Sequence, residues 1–143
     1  MQATLRRLIL PCLCATSALL AFVPASEARK VNSRSATAIL PGVDPTGKLK
    51  PRERIAKISA RSVKGAEIEV FFQVFCFDDQ LKVRRKTHTF KGTGHVHGKL
   101  RRPRGRDLDC SASAMVRVTS RPQGAGGEIP PIRLTAVIRA FRR

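Results

Sequence analysis

From Ala66 to Phe77 the chain reads AEIEVFFQVFCF, with Ile68, Val70, Phe72, Val74 and Cys76 at every second position. A period of two puts those side chains on one face of an extended strand and Glu67, Glu69, Phe71, Gln73, Phe75 and Phe77 on the other. The second half is apolar on both faces, which predicts a central strand with some cover on its outer side. The same period runs through CSASAMVRVTS, where Cys110, Ala112, Ala114, Val116 and Val118 are in phase. It returns in IRLTAVIRAF, with Ile132, Leu134, Ala136, Ile138 and Ala140 on one side. RIAKISARS alternates Ala56, Ile58 and Ala60 against Lys57, Ser59 and Arg61. A short helix with Ile55 and Ile58 on one face fits this stretch almost as well, and the clear strand after the Lys64-Gly65 turn decides for a strand.

LKVRRKTHTF and GHVHGKL flank the glycine-bearing KGTG, a pattern that predicts a β-hairpin. Asp78-Asp79-Gln80 reads as a turn, RRPRGRD as a polar connection and RPQGAGGEIPP as a long flexible turn. Ahead of Arg54, Pro41, Gly42, Pro45, Gly47 and Pro51 suit turns and extended chain. Residues 29–53 are therefore expected as a polar lead-in, with TAIL at 37–40 as one short edge strand, and residues 54–143 as the folded domain. Five or six short strands with frequent turns predict an all-β fold, an antiparallel β-sandwich. The arrangement resembles immunoglobulin-like sandwiches in architecture. The sequence has no tryptophan and no tyrosine, so the buried tryptophan and tyrosine corner of that family are absent.

The start of the chain changes the compartment. Arg6 and Arg7 precede a mostly apolar stretch from Leu8 to Val23, and Ser26-Glu27-Ala28 offers a small-x-small cleavage pattern. Residues 1–28 are read as an export signal cleaved after Ala28, with Ala25 as the second choice; Sec and twin-arginine export both remain open. Pro11, Thr16 and Ser17 interrupt the apolar stretch and argue against a membrane anchor. Without Arg6, Arg7 and Glu27, the 28 Lys+Arg and 10 Asp+Glu of the chain become 26 and 9, a formal charge of +17. A basic protein of this kind attracts anionic lipid headgroups, acidic polymers or nucleic acid. Cys76 and Cys110 are the cysteines left after cleavage, both phased to the apolar face of a strand. In an exported, periplasmic or secreted domain the simplest expectation is one disulfide between them.

The candidate chemistry sits in THTFKGTGHVHGKLRRPRGR, residues 87–106, which holds His88, His95 and His97. On a strand His95 and His97 point the same way, and a hairpin partner would bring His88 near them for Zn²⁺ or Cu²⁺. No local carboxylate or thiolate supports that set, so the metal reading ranks second and no cofactor is expected. The serines are scattered on strand faces and the glycines of GTGHVHG miss the nucleotide-binding spacing, which argues against an enzyme and against a small-molecule substrate. The basic run ranks first. Arg84, Arg85, Arg101, Arg102 and Arg104 are expected to form one positive surface, brought together by the hairpin, that docks an anionic polymer or membrane surface. Sequence-specific nucleic-acid binding is not expected, because Phe90 is the lone aromatic nearby.

Overall fold

The protein is described here by a computed structural model covering residues 28–106, 108–124 and 126–142. The expected export signal falls, apart from Ala28, outside the described residues. Nine strands follow in chain order: β1 (Arg29–Ala38), β2 (Gly42–Val43), β3 (Thr46–Leu49), β4 (Ile55–Arg61), β5 (Glu67–Phe77), β6 (Val83–Thr93), β7 (His95–Arg101), β8 (Asp109–Ser120) and β9 (Ile132–Phe141). They form two antiparallel sheets packed face to face. Sheet A has the order β1-β9-β4-β7; sheet B has the order β2-β8-β5-β6, with β3 also paired to β8.

The alternation read from the sequence sets the inward faces. Ile68, Val70, Phe72, Val74 and Cys76 of β5, and Cys110, Ala112, Ala114, Val116 and Val118 of β8, are all buried. Ala56, Ile58 and Ala60 of β4 and the five expected residues of β9 are buried on the facing sheet. The strand expected in RIAKISARS is thus present, as Ile55–Arg61. Burial of about twenty apolar side chains, most of them in strict alternation, fixes the register, because a slip by one residue would turn each set to solvent. Cys76 and Cys110 stand opposite one another in the β5–β8 ladder and are disulfide-bonded, with Cα atoms 4.0 Å apart. The bridge joins neighbours within one sheet. Closing a separation of 34 residues, it restricts the unfolded chain by roughly 3 to 4 kcal/mol. A buried disulfide fits an oxidising compartment. Among the described residues, no helix is long and apolar enough to cross a membrane.

Two expectations are corrected. Residues 29–53 are built into the sandwich: β1 pairs with β9 along its whole length, and β2 and β3 both pair with β8. β1 is an edge strand that buries little, so its sequence carries no strong apolar alternation. A bulge between Lys30 and Asn32 turns Val31 toward Gly47, where a Cβ would lie 2.5 Å from the valine Cγ1. Second, β6 and β7 are not a hairpin. β6 pairs with β5 in sheet B and β7 pairs with β4 in sheet A. Gly94, at φ 72°, is the corner where the chain crosses between sheets. Its N–H donates to the Ala66 carbonyl at 2.7 Å, and its own carbonyl accepts from Ser62 N at 3.0 Å. The β4–β5 crossing is thereby tied to the β6–β7 crossing. Phe90 closes the same margin of the sandwich against Gly98, where a Cβ would meet the ring at 2.4 Å.

Candidate functional site

The expected site residues are divided between the two sheets. Arg84 and Arg85 occupy successive positions of β6, opposite Cys76 and Phe75, so they project to opposite faces. Arg84 Nη1 nevertheless donates to the Arg104 carbonyl at 2.9 Å, which brings these two parts of the basic run together without a hairpin. Arg101 ends β7 and is exposed, as is Arg104. Arg102 is only 8% exposed. Its Nη1 donates to the Lys50 and Pro51 carbonyls at 3.2 and 2.8 Å, and its Nη2 to the Leu108 carbonyl at 2.5 Å. Burial, foremost, and the nearby Arg54 push its pKa down. Arg102 is therefore a clamp between the 50–54 turn and the 102–108 connection, and it does not belong to the exposed surface.

The histidines separate as well. His88 lies on β6 opposite Phe72 and rests against Phe90, ring centroids 4.6 Å apart. His95 and His97 lie on the outer face of β7, 3.8 Å apart, opposite Arg61 and Ser59. The hairpin that would have joined the three does not form. Among the described residues, no three His, Cys, Asp or Glu side chains gather as a metal-ligand set. Ser59 Oγ comes within 3.3 Å of His95 Nε2, and Arg61 Nε donates to the same nitrogen at 3.4 Å. Burial, then the charges of His97 and Arg61, lower the His95 pKa. No strand of sheet A carries a carboxylate to orient the imidazole, so the pair lacks the third member of a nucleophilic triad.

That missing carboxylate is the wider property of sheet A. Its four strands carry Arg29, Lys30, Arg34, Lys57, Arg61, Lys99, Arg101, Arg133 and Arg139, and no Asp or Glu. Arg29 is neutralised from outside the sheet by Glu53, whose carboxylate accepts from Nε at 2.6 Å and Nη2 at 2.8 Å. The guanidinium holds the Glu53 carboxyl below its ordinary pKa, against an opposing effect of burial. The register places Lys99 opposite Lys57, Lys57 opposite Arg139, and Arg139 opposite Lys30. Four cations thus stand in one row across the outer face of the whole sheet. With strands about 4.8 Å apart, the row spans roughly 15 Å. Lys57 Nζ is steadied 4.4 Å above the Phe141 ring. A depression of about 580 Å³ opens on this face beside Lys57, Arg61, His97, Lys99 and Arg139.

The outer face of sheet B differs. Glu67, Glu69 and Asp109 lie there among its cations, with Lys91–Glu69 and Lys48–Asp109 ion pairs each at 3.2 Å. Phe71 and Met115, opposite one another, are 40% and 41% exposed, and Phe77 is 37% exposed. The outer cover expected over β5 is not supplied by the described residues. Sequence reading missed Lys30, Lys57 and Arg139 because each strand brings one cation to the row, and only the absence of acidic residues from four separate segments hinted at it. No family model matches the chain, and no curated protein matches it either.

Proposed function

We propose that the protein is an exported binding module of the cell envelope or extracellular space, periplasmic or secreted, that holds a linear anionic polymer across the outer face of sheet A. The row Lys99–Lys57–Arg139–Lys30 carries the reading. Like charges directly opposite one another destabilise a sheet. Here four of them are aligned with no acidic residue on any strand of the sheet to relieve them. A polymer of repeating phosphate, sulfate or carboxylate groups running across the strands would relieve the repulsion, with Arg101 on the adjoining outward rung and Arg61 two rungs to the other side as further contacts. This moves the anion site from the run at 84–104 to residues that lie more than a hundred positions apart in the chain at the extremes. Arg101 is shared by both assignments.

The test uses long-chain inorganic polyphosphate as the probe. Engagement of about four charges gives a log–log salt slope of roughly −3 to −4. The triple variant K57Q/K99Q/R139Q should flatten that slope by roughly 2 to 3 and should not lower the melting temperature, because removing opposed like charges relieves the sheet. A slope unchanged in this variant would refute the assignment.

A further inference from the structure

The β5–β6 turn is built with unusual completeness for an exposed loop. The Asp78 carboxylate accepts from Gln80 N at 3.0 Å and from Lys82 N at 2.9 Å. The Asp78 carbonyl accepts from Leu81 N at 2.9 Å, and Asp78 N donates to the Lys82 carbonyl at 3.3 Å. Within this frame Leu81 has φ 60° and is 79% exposed. A left-handed backbone is disfavoured for leucine, and Gly or Asn would take that conformation with less strain. Leu81 therefore sits in a strained conformation that holds an apolar side chain out in water, where it adds nothing to the core. Val83, 49% exposed, and Phe77, 37% exposed, stand opposite one another just behind it. Phe75 meets Phe77 edge-on at 5.9 Å. Around them Lys82, Arg84, Arg85 and Lys86 are all exposed, and every residue of β6 from Val83 to Thr89 is exposed, whichever face it occupies. This end of the hairpin stands clear of sheet A. Of the two acids in the turn, the Asp78 carboxylate is taken up by backbone N–H groups, and Asp79 remains.

We propose that the β5–β6 hairpin tip docks on an anionic lipid bilayer, with Leu81, Val83 and Phe77 entering the interface and Lys82, Arg84, Arg85 and Lys86 on the headgroup phosphates. An apolar tip inside a basic collar matches the two layers of such a surface, apolar below and anionic above. The lysine and arginine stems can lie along the apolar region while their charges stay at headgroup level. A dissolved polyanion would meet the collar but leave Leu81 in water. A second copy would bring the same collar against itself. A zwitterionic bilayer would receive the tip but offer the cations no net charge. The site is separate from the cationic row of sheet A, and it does not depend on that reading.

The chain has no tryptophan or tyrosine, so Leu81→Trp supplies a lone reporter at the tip. The disulfide-bonded protein is mixed with vesicles of equal parts phosphatidylglycerol and phosphatidylcholine, and separately with phosphatidylcholine alone. Expected with the anionic vesicles are a blue-shifted emission and quenching by lipids brominated on the acyl chain; neither is expected with phosphatidylcholine alone. Leu81→Gly should keep the melting temperature at or above that of the parent, because it relieves the backbone, while lowering vesicle partitioning about tenfold or more. K57Q/K99Q/R139Q in the L81W background should retain the blue shift. Polyphosphate binding by L81G should be unchanged, so failure of this site and failure of the sheet A site give different patterns. Binding of L81W with unshifted emission, undiminished binding of L81G, or no binding to anionic vesicles would each overturn the proposal.

Discussion

Replacing Arg102 by methionine keeps an unbranched apolar stem and removes the guanidinium with its charge and its donors. The guanidinium makes three hydrogen bonds to the Lys50, Pro51 and Leu108 carbonyls, and charge-assisted bonds of this kind contribute about 1.5 kcal/mol each. Against this, Arg102 Nε is buried with no partner, and the charge itself is held away from water. Removing an imperfectly compensated buried cation returns roughly 2 kcal/mol. The net expected loss is about 2 to 3 kcal/mol. At roughly 4 °C per kcal/mol for a domain of this size, the melting temperature should fall by about 10 °C. Thermal unfolding followed by circular dichroism, with Arg101→Gln and Arg104→Gln alongside, checks the figure. Those two exposed arginines should shift the midpoint by no more than about 2 °C. The reasoning is refuted if Arg102→Met melts within about 2 °C of the parent, or if either exposed variant falls as far as it does.

Gly98→Ala should destabilise by about 1 to 3 kcal/mol in urea unfolding, because the new Cβ would lie 2.4 Å from the Phe90 ring and 2.9 Å from Ile58 Cγ2. Adding Phe90→Leu should recover part of that loss, and strict additivity of the two changes would argue against the contact. The Arg29–Glu53 pair sets an acid limit. The Glu53 pKa is lowered in the folded state, so its contribution is fully present above the unfolded value near 4.5 and disappears as pH falls through the folded value. Acid titration of Glu53→Gln should show a shallower loss of stability below about pH 4.5 than the parent, and parallel curves would exclude the linkage.

Each strand was legible where it buries one face. β5, β8 and β9 alternate strictly because their inner residues meet a second sheet, and a period of two is local information that survives in one dimension. The cysteine pairing was legible for the same reason, since both cysteines fall in phase with buried neighbours on strands of an expected sandwich. β1 was hidden as a strand because an edge strand with exposed faces needs no apolar alternation.

What the sequence alone determined, then, was the phase of the buried strands, the all-β class, the cysteine pair and the excess of positive charge. Where the chain turns back was not determined by it. Two β-runs around KGTG read identically whether the second returns beside the first or crosses to the facing sheet. Crossing is decided by Gly94 bonding to Ala66 and Ser62, and by Phe90 filling the space above Gly98. Arg102 has the same local signature as Arg101 and Arg104, yet the Lys50 and Pro51 carbonyls of a distant turn and the Leu108 carbonyl of its own connection enclose it. Lys30, Lys57, Lys99 and Arg139 become neighbours only through the strand order β1-β9-β4-β7. Side-chain phase repeats every two residues and can be read along one strand. The partners that surround a charge come from separate strands, and only the packed fold brings them together.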